Sequence, residues 1–108
     1  MAIRLERRTD PDGSRVLLLV GDLDRAATRP LAAAVKDELD HSPRRLVFQM
    51  TRVSFCDSSG IVMLLEAHSE AARLGAELVL AGLGLHLREL FRISALDQIV
   101  RVVEESRD

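Results

Sequence analysis

The sequence contains no tryptophan, no tyrosine and only three phenylalanines in 108 residues. Proteins that hold single-stranded nucleic acid stack its bases on aromatic side chains, and this chain has almost none to offer. A basic excess is missing as well. Fifteen Lys and Arg stand against seventeen Asp and Glu, a formal net charge of −2, so no cationic footprint for a phosphate backbone is present. Cys56 is the single cysteine. That excludes an intramolecular disulfide and a cysteine-rich metal site, and it fits a reducing compartment. The three histidines, His41, His68 and His86, lack metal-ligand spacing. Long apolar runs are absent. "VLLLV" and "IVMLL" fall far short of the roughly 20 residues that a membrane-spanning helix needs. The opening "MAIRLERRTD" has no apolar segment of signal-peptide length and no cleavage pattern. The expectation is a cytoplasmic protein with no metal, no cofactor, no membrane contact and no direct contact to nucleic acid.

What is present is ordinary for a globular chain: 47% hydrophobic and 30% charged residues. The length suits one domain spanning residues 1–108. "IRLERR" (3–8) alternates as a half-buried strand does. Asp12-Gly13 marks a turn, and "RVLLLVG" (15–21) reads as a more buried strand, so the chain opens on a β-hairpin. Thr28 is the expected N-cap of a first helix, with Pro30 in its first turn and Leu31, Ala34, Val35 and Leu39 inward. "RRLVFQM" (44–50) reads as an interior strand. A second helix is expected from about Ser59 to Leu74, with Ile61, Leu64, Leu65, His68 and Ala72 on one face and Gly75 closing it. A strand at 76–82, a helix at 85–93 with Leu87, Leu90 and Phe91 inward, and a strand at 98–103 complete the order ββαβαβαβ. Strands alternating with helices after an initial hairpin indicate an α/β domain with a mostly parallel sheet and helices packed against it.

Most catalytic templates fail. There is no Walker A loop, "GLGL" (82–85) lacks the third glycine of a dinucleotide fingerprint, and "CDSSG" is not a G-x-S-x-G nucleophile elbow. Cys56 has no neighbouring cation to activate it and reads as an inert buried thiol. No catalytic residue is expected.

"CDSSG" (56–60) nevertheless stands out. Asp57, Ser58 and Ser59 can all cap a helix, and a helix needs one cap. Helix N-termini collect free N–H groups and a positive dipole end, so a phosphate on a serine placed there is stabilised. A second polar cluster, "GDLDRAAT" (21–28), holds Asp22 and Asp24. Both clusters follow strands, and in a parallel sheet such loops gather on one edge. Taken alone, composition favours simple capping for the serines, since D-S-S-G is four common residues, and a solvated turn accounts for at least one aspartate.

"GDLD…T" followed by "VSFCDSSGIVMLL", with "ALDQIVRV" near the end, resembles the STAS domain of bacterial anti-sigma factor antagonists, also called anti-anti-sigma factors. The resemblance runs from the hairpin to Val103. It implies that Ser58 is a phosphorylation site and that the kinase is the anti-sigma factor itself, a histidine-kinase-like ATPase. The bare serine form would bind that kinase and free a sigma factor. Phosphorylation would end the binding, and a serine phosphatase would reset the switch. Asp22, Asp24, Asp57, Ser58, Ser59, Gly60 and Ile61 become the expected partner-binding residues, on a chain acting as monomer or weak dimer and not as an enzyme. Two departures accompany the resemblance. The polar tail 103–108 leaves the family's C-terminal helix absent or truncated, and Ala95 in "SALD" replaces a glycine common in the family. The alternative is a STAS scaffold or sensor module of a stress-signalling complex.

Overall fold

A computed structural model of the chain describes residues 3–104. Five strands form one sheet in sequence order: β1 (Arg4–Thr9), β2 (Arg15–Leu23), β3 (Arg45–Cys56), β4 (Glu77–Ala81) and β5 (Arg101–Val103). β1 and β2 are antiparallel, and every later pair is parallel. The crossovers are α1 (Thr28–Leu39), α2 (Ser58–Arg73) and α3 (Leu85–Ile93). The expected α/β architecture, opened by a hairpin, is the observed one.

Alternation along the strands sorts the core. Leu46, Phe48 and Met50 of β3, with Leu78 and Leu80 of β4, join one large cluster with Leu31, Leu64, Leu87 and Phe91 of the helices. All three helices therefore pack on the same sheet face. Val16, Val47, Val79 and Ala81 form a smaller cluster on the other face. Filling Phe48, Phe91 and the buried leucines into one interior supplies the dominant favourable contribution to folding, on the order of 1.5–3 kcal/mol per large side chain.

Several local expectations change. α1 starts at Thr28, and Thr28 is not its cap; a short 3-10 turn (Arg25–Ala27) precedes it, capped by Asp24. The inward stripe of α1 includes Glu38, which is fully buried beside the expected Leu31, Ala34, Val35 and Leu39. Its Oε1 accepts from Arg15 Nε at 2.7 Å, and Arg7 Nη1 lies 3.4 Å from Oε2. The face of α2 is rotated from the expected one. Gly60, Met63, Leu64, Ala67 and Ala71 are buried, Ile61, Leu65 and His68 are half-buried, and Ala72 is exposed. Small residues let α2 approach the sheet closely, and weighting large apolar side chains pointed to the wrong flank of the helix.

Gly75 closes α2 as expected. At φ +81° it lets its own N–H reach Ala72 O and the Ala76 N–H reach Ala71 O at 2.8 Å, the two bonds of a Schellman cap. The last strand is half its expected length, because Leu96–Gln98 coil into a 3-10 turn. That turn begins at Ala95 with φ 62°, the left-handed region where glycine is unstrained. The tail from 105 onward lies outside the described residues, and Glu104 just before it is exposed. Among the described residues no helix is long and apolar enough to cross a membrane.

Candidate functional site

The site begins with an overlong strand. β3 pairs with β4 only from Arg45 to Gln49 but continues to Cys56. Its outer half pairs with β2 alone, through two register shifts, between Leu18 and Val20 and between Gly21 and Asp22. Each shift places an extra residue on β3, and such bulges bend and twist a strand end. "TRVSFC" (51–56), expected as loop, is therefore strand, and so is Asp22, which pairs opposite Phe55.

One residue, Asp57, connects this strand end to α2. Its backbone is extended (φ −103°, ψ −169°), and its Oδ1 accepts the Gly60 N–H at 3.1 Å. Asp57 is thus the N-cap, and its own N–H donates to Leu23 O at 3.3 Å. Ser58 is the first helical residue and is exposed; Ser59 is half-buried. Neither serine hydroxyl has a hydrogen-bond partner among the described residues. Three possible caps resolve into one cap and two uncommitted hydroxyls.

Gly60 is buried for a reason of space. A Cβ there would overlap the Leu23 carbonyl oxygen and stand 2.6 Å from Cys56 Sγ and 2.8 Å from Leu23 Cβ. Only glycine lets α2 start directly against the end of β2. That contact brings the two polar clusters together, because Asp22 and Asp24 flank Leu23. Asp24 spends one oxygen on the Ala26 N–H at 3.1 Å. Asp22 has no hydrogen bond and no ion pair among the described residues. Ile61 packs half-buried against the core, with one edge left at the surface.

Cys56 lies beneath this turn. Burial, with a smaller push from Asp57, raises its thiol to about 12. It stays protonated and therefore unreactive. No three His, Cys, Asp or Glu side chains gather as metal ligands among the described residues.

Charge pairing differs among the acids of the domain. Asp10, Asp12, Asp37, Glu38, Glu70, Glu77 and Glu89 each have an arginine within ion-pair reach. Asp22, Asp24 and Asp57 form none among the described residues, and neither do Arg25 and Arg29 nearby. Two exposed apolar residues, Phe55 and Val62, lie three residues before and four residues after Ser58 in the chain. Sequence reasoning passed over both. The available signal was that Val62 stands one turn from Ser58 and off the buried stripe.

Comparison with known proteins identifies the family and the fold. The family model described as "Mlab, STAS domain" matches residues 7–104. BtrV of Bordetella bronchiseptica, a protein named as an anti-sigma factor antagonist, is 31% identical over 91 residues, covering 84% of this chain and 78% of BtrV. Among solved structures, an anti-sigma factor antagonist from Mycobacterium paratuberculosis superposes with a TM-score of 0.81 at 22% identity, over 94% of this chain and 85% of that one. The antagonist SpoIIAA in its unphosphorylated form gives 0.76 at 23% identity, over 98% and 90%. The two structures share the fold of this chain. With a family model spanning nearly all the described residues and a curated relative above 30% identity, the chain belongs to the STAS domain family and has an anti-sigma factor antagonist as its homologue.

Proposed function

We propose that the protein is an anti-sigma factor antagonist switched at Ser58. In its unphosphorylated form it binds an anti-sigma factor that is a histidine-kinase-like ATPase, and a sigma factor is released. The kinase transfers the γ-phosphoryl group of ATP to Ser58 Oγ. The new O–P bond replaces the bond to ADP, and the hydroxyl proton passes to a base on the kinase. Binding then ends, and a serine phosphatase hydrolyses the phosphate to restore the switch. The chain is a substrate and a binding module, not a catalyst, and it works in the cytoplasm.

One observation carries this reading: Ser58 is an exposed first-turn serine whose hydroxyl is uncommitted because Asp57 already caps the helix. A phosphate there meets free helix N–H groups, so the fold tolerates it. It also adds about −1.5 to −2 charges beside three unpaired aspartates. At a docked interface, like charges in contact cost several kcal/mol, which is orders of magnitude in affinity.

The test is direct. Incubation with the cognate kinase and ATP, followed by mass spectrometry, is expected to place the label on Ser58. Ser58→Asp is expected to weaken kinase binding at least 100-fold, about 3 kcal/mol, with the thermal midpoint nearly unchanged. Label on another residue, or undiminished binding by the variant, contradicts the proposal. The matching family model, described by its STAS domain and not by sigma regulation, favours a second reading as scaffold or sensor module. A large assembly on gel filtration would support that reading over the switch.

A further inference from the structure

The end of β3 has an unpaired edge. β3 pairs with β2 from Leu46 to Cys56, but with β4 only as far as Gln49. β4 ends at Ala81, where Gly82, at φ +75°, turns the chain and Leu83 enters the core under the helices. Gly82 itself lies beside Thr51, since a Cβ on it would stand 2.5 Å from Thr51 Oγ1. From Arg52 to Cys56, the place that a longer β4 would fill holds no strand among the described residues. Nor does any backbone hydrogen bond join 52–56 to β4 or to the loop after it. A strand with one side unpaired presents a row of free N–H and C=O groups there. Arg52, Ser54 and Phe55 are exposed, so water reaches this segment.

We infer that this edge is a docking site for the anti-sigma ATPase, which adds an extended segment of its own chain as a strand beside Arg52–Cys56. The inference rests on the reading of Ser58 as that ATPase's substrate. Strand addition to an open sheet edge is a recurrent mode of recognition, with affinity drawn from main-chain hydrogen bonds. The free edge has the length of an ordinary strand. Only Asp57 separates Cys56 from Ser58, and two residues span at most about 7 Å of chain. A kinase that takes Ser58 as substrate must therefore reach this end of β3. A ladder also fixes register, because a slip of one residue turns every side chain to the opposite face. Pairing along 52–56 would set where the kinase holds its ATP relative to Ser58 Oγ, which is catalysis by positioning.

Two features restrict what can pair there. The register shift between Gly21 and Asp22 leaves Ser54 opposite no β2 residue, and a bulge of that kind twists an edge away from a flat partner. Arg52 is exposed, is the one charged residue of the edge, and has no ion pair among the described residues. A second copy pairing through the same edge would bring the same arginine. A neutral or acidic strand from another protein meets no such repulsion.

The experiment is amide hydrogen exchange on the full chain, alone and bound to the cognate ATPase loaded with ADP. In the free chain, alternate amides of 52–56 are expected to exchange fast, and in the complex to slow at least about tenfold. Ser54→Pro deletes one N–H at a bulge, where proline is tolerated. It is expected to weaken binding about tenfold, the effect of one main-chain hydrogen bond. Ser54→Ala keeps the N–H and is expected to bind as wild type. Should Ser54→Pro lose its fold, the wild-type exchange pattern still decides. Unchanged exchange at 52–56, in a complex that forms and whose ATP labels Ser58, overturns the added strand and leaves the switch standing. Equal binding by the Pro and Ala variants also overturns it. Protection that grows with the concentration of the chain alone overturns the ATPase as occupant in favour of a second copy. Failure of the wild-type chain to bind the ATPase overturns the switch reading and the added strand with it.

Discussion

Glu38 and Asp22 are two acids of one small domain in opposite surroundings. Glu38 lies in the core at the end of α1 and holds Arg15, which starts β2, and Arg7 of β1. Asp22 lies at the other end of β2, half-buried and with no partner among the described residues. Glu38 has its charge paired inside the fold, and Asp22 does not. An acid with its arginine in place contributes to holding hairpin and helix together. An acid without one contributes little to folding and remains available to another molecule.

Substitutions at the two ends put that contrast to the test. The largest effect is expected where the open end is tight in its backbone. Gly60→Ala forces a Cβ into the Leu23 carbonyl, which cannot turn aside as a flexible side chain would. A loss of about 3 kcal/mol is expected on chemical denaturation, at the upper end of overpacking effects. Glu38→Ala comes next. It strips Arg15 of its carboxylate, leaves Arg7 with Asp37 alone and opens a cavity, but Arg15 keeps 23% of its side-chain surface in water and can turn outward. About 2 kcal/mol is expected, below the value for a fully buried pair. Asp57→Ala removes the cap of α2 and is expected to lower stability by about 1 kcal/mol. Asp22→Asn is expected to change stability by less than about 0.5 kcal/mol while measurably weakening kinase binding. Were Asp22→Asn as destabilising as Glu38→Ala, the two ends would not differ as argued.

Some of this was legible beforehand, and the physical reasons separate it from the rest. The α3 boundaries, the Gly75 cap and the inward residues of α1 follow from periodicity and from glycine's left-handed conformation, both local properties. The length of β3 was not legible. Beyond Gln49 it loses its neighbour β4, so Thr51, Arg52, Ser54 and Phe55 are exposed, and bulges break the alternation that marks a strand. The buried Glu38 was hidden for a similar reason, since its partners come from the hairpin and not from its own helix. Thr28 is not a cap because Asp24, four residues earlier, caps a 3-10 turn that leads into α1.

Alone, the sequence determined the order of elements, the hairpin turn at Asp12-Gly13, the family, and the helix that starts at "DSSG". These depend on contacts between residues close in the chain, or on motif spacing. Only the tertiary structure decided which of the three polar residues caps that helix, why Gly60 must lack a side chain, and which aspartate has neither a hydrogen bond nor an ion pair among the described residues. Each of those answers depends on the end of β2. The Leu23 carbonyl accepts the Asp57 N–H and fills the space where a Cβ at Gly60 would sit. That leaves Ser58 as the exposed member of the trio, its hydroxyl free for chemistry because another residue does the capping.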